Sequence, residues 1–216
     1  AVPSVHDDEK SARFGIADHS TGLPHMLPSA GEFSKAVGAL GIGDGETVVV
    51  YDGAGIFSAP RAWWSLKAMG HNPVKVLDGG FPKWKREGRA VETGPAHPKA
   101  KFFTAIPRPD MVRDFDAVMG IVKDQSAQMV DARSASRFTA EEPEPRAGVR
   151  GGHMPGAINV HYRKLIADDG TLKPLAELQD VFSRLDLHKP VVTTCGSGLT
   201  AAILMLALTE IGKRDV

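Results

Sequence analysis

The residue of this sequence with the clearest capacity for covalent chemistry is its single cysteine, Cys195. It follows the β-branched run 191–194, and it opens the stretch 195–200 (Cys-Gly-Ser-Gly-Leu-Thr), after which an apolar helical pattern continues to about Ile211. This order predicts a buried strand, a tight loop and a helix N-terminus, where unpaired backbone N–H groups favour an anion. The two glycines allow successive amides to turn toward one point. We interpret Cys195 as a nucleophile whose thiolate the loop stabilises, the alternative being a small buried hydrophobic residue.

Composition and charge are those of an ordinary globular chain. The 216 residues are enough for one large or two modest domains, and 42% are hydrophobic and 24% charged. Lys+Arg and Asp+Glu both number 26, so no basic excess suggests a nucleic-acid partner. No apolar segment approaches about 20 residues, so we expect no membrane span. Residues 1–14 lack the apolar centre of a secretory signal.

The cysteine and histidine content bounds the redox and metal chemistry. One cysteine forbids an internal disulfide, so we expect a reducing compartment, the cytoplasm. It also leaves no resolving thiol within the chain, so any sulfur loaded on Cys195 must be removed by an outside molecule. The histidines show no paired ligand spacing, so we expect no metal and no cofactor.

Strands and helices alternate along most of the sequence, which predicts parallel sheets covered by helices. One helix is predicted over residues 30–40, because Ser29 and Glu32 have the spacing of a capping box. The proline-rich stretch 95–109 is typical of a linker, so we predict domains at 1–94 and 110–216.

An internal repeat links the two predicted domains. Residues 48–55 match residues 191–198 at a constant offset of 143, and in both copies the helix that follows ends at a glycine, Gly70 or Gly212. Asp52 stands at the cysteine position of the first copy, so only the second copy can perform thiol chemistry. The alternative is a chance match between two ordinary strand–glycine loops.

Together these motifs resemble a known family. The tandem repeat, the turn 153–157 (His-Met-Pro-Gly-Ala), Asp-Gly-Gly at 78–80 and the 195–200 loop resemble the two-domain rhodanese-like sulfurtransferases. Cys-Gly-Ser-Gly-aliphatic-Thr resembles the 3-mercaptopyruvate sulfurtransferase subfamily. The resemblance begins near Phe14 and implies an α/β fold of two tandem rhodanese-like domains, each a mainly parallel sheet flanked by helices, the first non-catalytic. The family's first domain has an opening strand and its second continues beyond this sequence, so we expect truncation at both ends.

The resemblance implies the reaction and the residues that carry it. Sulfur passes from 3-mercaptopyruvate to Cys195, giving a persulfide and pyruvate, and then to cyanide or a thiol, a small thiol or a thioredoxin-like protein being the expected acceptor. Ser197 is neutral where thiosulfate-using rhodaneses usually carry basic residues, which favours the keto-acid donor. Thr200 adds a hydroxyl at the helix start. The loop residues expected to bind the transferred sulfur are Gly196, Gly198, Leu199 and Thr200.

Two further groups of residues complete the expected site. Arg137 and Arg146, nine residues apart, match the family's substrate-binding arginines and would bind the donor's carboxylate. The alternative is a solvated loop in which both pair with neighbouring glutamates. His25 is the expected proton carrier for the departing pyruvate enolate, hydrogen-bonded to Ser197, with Asp18 as its acidic partner.

Three other functions are considered. A cysteine-dependent phosphatase needs an arginine six residues after the cysteine, and Ala201 stands there. A thiosulfate:cyanide sulfurtransferase shares the fold but is disfavoured by Ser197. A non-enzymatic persulfide carrier is the third.

Overall fold

The computed structural model describes residues 16–18 and 20–216, and the chain divides into two compact units, Ala1–Pro109 and Asp110–Val216. Each unit contains a parallel sheet, two-stranded in the first and three-stranded in the second, with helices between the strands. The predicted α/β fold with helix-flanked parallel sheets is therefore confirmed. The expectation that residues 1–14 lack an opening strand lies outside the described residues.

The first unit begins with the helix predicted from its capping box. Ser29 Oγ accepts from the Glu32 N–H at 3.3 Å, and the Glu32 carboxylate accepts from the Ser29 N–H at 3.0 Å. This reciprocal pairing satisfies two backbone donors. The Ser29 hydroxyl and then the Ser29 N–H, which both donate to the Glu32 carboxylate, hold the Glu32 pKa below its ordinary value. Phe33, Trp63 and Leu66 supply part of the unit's buried core. The elements of this unit are α1 (Ala30–Ala39), β1 (Val48–Val50), α2 (Ala59–Ala68), β2 (Val74–Val76) and α3 (Gly80–Arg86).

Part of the stretch expected to be a linker packs onto the first unit. Phe103 is only 4% exposed, and its ring lies against Phe33 and His71. The N–H groups of Lys101 and Arg108 donate to backbone carbonyls of the same unit at 2.9 and 2.7 Å. The prolines indicated a linker, but the buried Phe103 anchors this segment to the first unit.

The second unit places β3 at the centre of its sheet, in the order β4-β3-β5. The last helix, α7, is buried at every position from Ala201 to Leu208, and it packs against β5, α6 and the 3₁₀ turn Tyr162–Leu165. A helix that is apolar on all sides belongs in a core. The elements are α4 (Phe115–Asp124), β3 (Gln128–Asp131), α5 (Ala135–Thr139), β4 (Ile158–Asn159), α6 (Leu175–Val181), β5 (Val191–Thr194) and α7 (Thr200–Glu210), with a short 3₁₀ turn at Pro109–Met111.

Arg137 lies in the short helix α5, not in the solvated loop that was the alternative for it. Ser134 caps this helix by accepting from the Arg137 N–H at 3.4 Å. Only five residues are helical, too few to show an apolar period. Within the described part of the chain, no helix is long and apolar enough to cross a bilayer.

Candidate active site

The cysteine loop has the predicted strand–loop–helix form. β5 ends at Thr194, Cys195 follows half-buried, and α7 begins at Thr200. The Gly198 N–H donates to Cys195 Sγ at 3.1 Å, and Gly198 has φ +80°, a conformation that glycine adopts without strain. The loop therefore turns one amide onto the sulfur, next to a helix N-terminus that favours negative charge.

Thr200 lies at the start of α7, where its hydroxyl was expected. It is the first helical residue of α7, whose N-cap position is Leu199, and no side-chain cap bond forms there. At this N-terminus, which follows the cysteine loop, no side chain caps the first backbone N–H groups of α7. This arrangement suits a helix end that receives an anion instead of a side chain.

Arg137 and Arg146 both reach the residue directly after the cysteine. Arg146 Nη2 donates to the carbonyl oxygen of Gly196. A Cβ atom on Gly196 would lie 2.7 Å from Arg137 Nη2, so any larger residue here would displace this guanidinium. The two arginines named from sequence therefore come together at Gly196, although only Arg146 is exposed to solvent.

A buried carboxylate holds Arg137 in this place. Glu144 Oε1 accepts from Arg137 Nε at 3.1 Å and Glu144 Oε2 accepts from Arg137 Nη2 at 2.6 Å. Arg133 Nη1 donates to Glu144 Oε1 at 2.8 Å. The Glu144 side chain is 4% exposed. Its pKa is held below the ordinary value mainly by the hydrogen bond from Arg137, and also by the one from Arg133.

Arg133 in turn is fixed to the end of the central strand. Its guanidinium pairs with the buried carboxylate of Asp131 at 2.5 Å and donates to the Gly152 carbonyl at 2.8 Å. Hydrogen bonding to Asp131 is the main reason that the Arg133 pKa is raised. Asp131 pairs in register with Thr194, the residue before the cysteine. Parallel pairing thus brings this chain of charges beside the thiol.

The loop at Asp52 is the first unit's counterpart of the cysteine loop. Asp52 is 2% exposed, and its carboxylate accepts four backbone N–H groups at 2.8 to 3.0 Å, from Ala54, Phe57, Ser58 and Ala59. The backbone N–H groups of this strand–loop–helix unit therefore point at one negatively charged group. In the first unit, a built-in carboxylate occupies that position.

His25 and Asp18 belong to the first unit. His25 is buried with φ +58°, and its carbonyl accepts from the Arg61 guanidinium. The Asp18 N–H donates to the Met26 carbonyl at 3.0 Å, so the backbone brings Asp18 opposite the residue after His25. Ser197 lies half-buried between the two glycines of the cysteine loop. The proton relay through these three residues stays a prediction.

Among the described residues, no group of three or more His, Cys, Asp or Glu side chains could hold a metal ion. His153, in the turn 153–157, stacks on Phe138 with ring centroids 3.7 Å apart, and its Nδ1 lies 2.8 Å from the Phe138 carbonyl oxygen. This histidine joins the turn to α5, the helix that carries Arg137.

The chain is therefore an α/β protein built on a duplicated strand–loop–helix unit, whose second copy carries Cys195. The rhodanese-like domain family matches residues 19–87 and 114–216. The chain belongs to this family, which confirms the resemblance drawn from its motifs.

Named relatives support the same assignment. The chain is 41% identical to the Arabidopsis thaliana thiosulfate/3-mercaptopyruvate sulfurtransferase 1, mitochondrial, over 94% of its own length and 59% of the relative's. It is 40% identical to the 3-mercaptopyruvate sulfurtransferase of Escherichia coli K12, over 93% and 72% of the two lengths. The crystal structure of SseA from Escherichia coli, described as a 3-mercaptopyruvate sulfotransferase, matches with a TM-score of 0.85 at 37% identity, covering 93% of this chain and 76% of that one. The chain thus spans 59% and 72% of the length of these two relatives.

Sequence reasoning missed the residues that support the site. Glu144 was considered only as a solvated partner of the arginines, and Asp131 and Arg133 were given no role. The available signal was an Asp-x-Arg pattern at the end of a buried strand, since such an arginine can fold back on the strand's last side chain. Asp52 was located by the repeat, but its four amide contacts could not be read from spacing.

Proposed function

We propose that this chain is a sulfurtransferase that accepts sulfur from 3-mercaptopyruvate on Cys195. The observation that carries the proposal is the meeting of Arg137 and Arg146 at Gly196, directly beside the thiol and its glycine-rich loop. A small donor with a carboxylate and a transferable sulfur matches that combination of cationic groups and nucleophile. The names of its relatives from Arabidopsis thaliana and Escherichia coli support the same donor.

The chemistry requires one bond to form and one to break at the transferred sulfur. The Cys195 thiolate attacks the donor's thiol sulfur, an S–S bond forms, and the C–S bond breaks with its electron pair moving to carbon. The resulting enolate takes up one proton and leaves as pyruvate. Amides of the 195–200 loop and the α7 N-terminus stabilise the thiolate and then the persulfide, as four amides stabilise Asp52 in the first unit.

The proton for the enolate needs a carrier. We assign this role to His25, with Ser197 between it and the reacting atoms and Asp18 as its acidic partner. The loop bridge between Asp18 and Met26 supports a fixed backbone for His25. Gly196, Gly198, Leu199 and Thr200 complete the loop that binds the sulfur.

The persulfide is then passed to an acceptor thiolate, which attacks the outer sulfur and releases the Cys195 thiolate. Because the chain has one cysteine, the acceptor is another molecule, a small thiol or a thioredoxin-like protein. We propose a cytoplasmic location, which the lone cysteine supports, the alternative being the mitochondrial location named for the Arabidopsis thaliana relative.

Thiosulfate is the second candidate donor, because the name of the Arabidopsis thaliana relative includes it. The dianion would benefit from cationic side chains within the loop itself, where this chain has the neutral Ser197. The two donors are separated by measuring kcat/KM with each, following pyruvate release for one and thiocyanate formation from cyanide for the other. We expect a clear preference for 3-mercaptopyruvate, and a preference for thiosulfate would contradict the assignment.

Changing Arg137 or Arg146 to alanine should raise KM for 3-mercaptopyruvate. Each loses a charge-assisted contact of about 1.5–3 kcal/mol, which corresponds to roughly 10- to 100-fold in kcat/KM. The measurement is steady-state pyruvate release, with Arg150→Ala as the control, because Arg150 is exposed and follows the same loop. Kinetics like those of the control would assign both arginines to a structural role.

A further inference from the structure

We propose that Glu144 is a positioning residue, which holds the guanidinium of Arg137 so that its outer edge and Arg146 together receive a carboxylate next to Cys195. The inference deepens the proposed function and rests on it for the identity of the donor. The geometry that carries it lies entirely within the second unit.

The first step is the direction in which Arg137 is held. Glu144 takes the Nε and Nη2 donors of Arg137 in a two-point contact at 3.1 and 2.6 Å. A two-point contact fixes the plane of the guanidinium as well as its position. Nη2 is at the same time the atom closest to the space above Gly196, so the pairing sets how near the cation comes to the cysteine loop.

The second step is what this pairing leaves available. Within residues 16–18 and 20–216, Arg137 Nη1 has no hydrogen-bond partner, and Arg146 uses only Nη2, on the Gly196 carbonyl. Nη1 lies 3.8 Å from the Cβ position built on Gly196. Both arginines thus retain N–H donors around the residue that follows the thiol, and a carboxylate offers two acceptor oxygens for such donors.

The third step is the rigidity of Glu144 itself. Its own side chain is 4% exposed and is held by Arg133, which is anchored to Asp131 at the end of β3 and to the Gly152 carbonyl. Two buried carboxylates and two partly buried guanidinium groups, all hydrogen-bonded, thus alternate from the central strand to the site. An arginine that only served solubility would need no such support.

The fourth step is electrostatic. Arg137 and Arg146 both approach Gly196, and their two positive charges repel each other. The Glu144 carboxylate offsets this repulsion. Counting Asp131, Arg133, Glu144, Arg137 and Arg146 as charged, the cluster carries one net positive charge. This net positive charge on the side chains favours an anionic donor over a neutral one.

The test uses two alkylating reagents that react with Cys195 and differ in charge. Iodoacetate carries a carboxylate and iodoacetamide is neutral, and in both the thiolate displaces iodide as an S–C bond forms. The ratio of their rates with the full chain therefore measures carboxylate recognition at the thiol. We expect Glu144→Gln to lower this ratio about tenfold, the effect of one displaced charge-assisted hydrogen bond, because the amide nitrogen of glutamine faces guanidinium donors.

The iodoacetamide rate is the internal control for an intact cysteine loop, and it should stay within about twofold of the wild-type value. Glu141→Gln is the matched variant, because Glu141 is exposed on the same segment and has no ion pair in the described part of the chain. It removes the same charge and should leave the ratio unchanged. If Glu144→Gln does not fold, Arg133→Lys is the second variant. It disturbs the hydrogen bond from Arg133 to Glu144 and should also lower the ratio of the iodoacetate rate to the iodoacetamide rate.

An unchanged or raised ratio in Glu144→Gln, or an equal fall in both rates, would overturn the positioning role; a raised ratio would mean that only the net charge of the cluster matters. This readout needs no sulfur transfer. A wild-type chain that releases no pyruvate from 3-mercaptopyruvate would contradict the proposed function, whereas the alkylation ratio would still decide the role of Glu144.

Discussion

Replacing Cys195 by serine is expected to abolish sulfur transfer, lowering pyruvate release from 3-mercaptopyruvate by on the order of 10³-fold or more. The hydroxyl of serine is a far weaker nucleophile than a thiolate and forms no stable bond to a transferred sulfur. Cys195 is the only cysteine of the chain, so no neighbouring thiol can substitute for it. The readouts are pyruvate release and the intact mass after mixing with the donor, where the wild-type chain should gain one sulfur atom.

Two comparisons make this result specific. The thermal unfolding midpoint of Cys195→Ser should stay close to that of the wild-type chain, because the side chain is only half-buried and the replacement is nearly isosteric. A sulfur adduct that persists in Cys195→Ser would show that the sulfur binds elsewhere. A wild-type chain that gains no sulfur would reject the enzyme and the persulfide carrier together. A wild-type chain that gains sulfur but releases no further product with any acceptor would favour the carrier.

The features that the sequence predicted correctly are those that local rules determine. The capping box at Ser29 and Glu32 depends on residues three apart, and it is formed as expected. The β-branched run before Cys195 and the apolar run after it fold as β5 and α7. The alternation of such units was sufficient to predict parallel sheets.

The features that the sequence did not predict depend on contacts between distant parts of the chain. Phe103 is buried on the first unit because Phe33 and His71, more than thirty residues earlier, leave a place for it. Glu144 is buried instead of solvated because Arg133 and Arg137 enclose it. In both cases the decisive quantity is burial, which composition and spacing do not report.

Asp52 offers the second large effect, on stability. We expect Asp52→Ala to lower the free energy of unfolding of the first unit by about 3 kcal/mol, because four backbone N–H groups lose a charged acceptor in a buried loop. Removing one partner of a buried hydrogen-bond group costs more than the bonds themselves contribute, since the remaining donors are left desolvated. The measurement is denaturant unfolding followed by tryptophan fluorescence. The three tryptophans of the chain, Trp63, Trp64 and Trp84, all lie in the first unit.

The matched control is Asp44→Ala, which removes an exposed aspartate of the same unit whose carboxylate accepts one N–H and one hydroxyl, both from Thr104. Its loss should stay below about 1 kcal/mol. Equal losses in the two variants would mean that the amides around Asp52 do not converge on its carboxylate.

Because the repeat places Asp52 at the position of Cys195, a second measurement on the same variant tests anion binding by such a loop. Added sulfate should raise the unfolding midpoint of Asp52→Ala more than that of the wild-type chain, since the emptied loop can then bind an anion, as the cysteine loop must do for its persulfide.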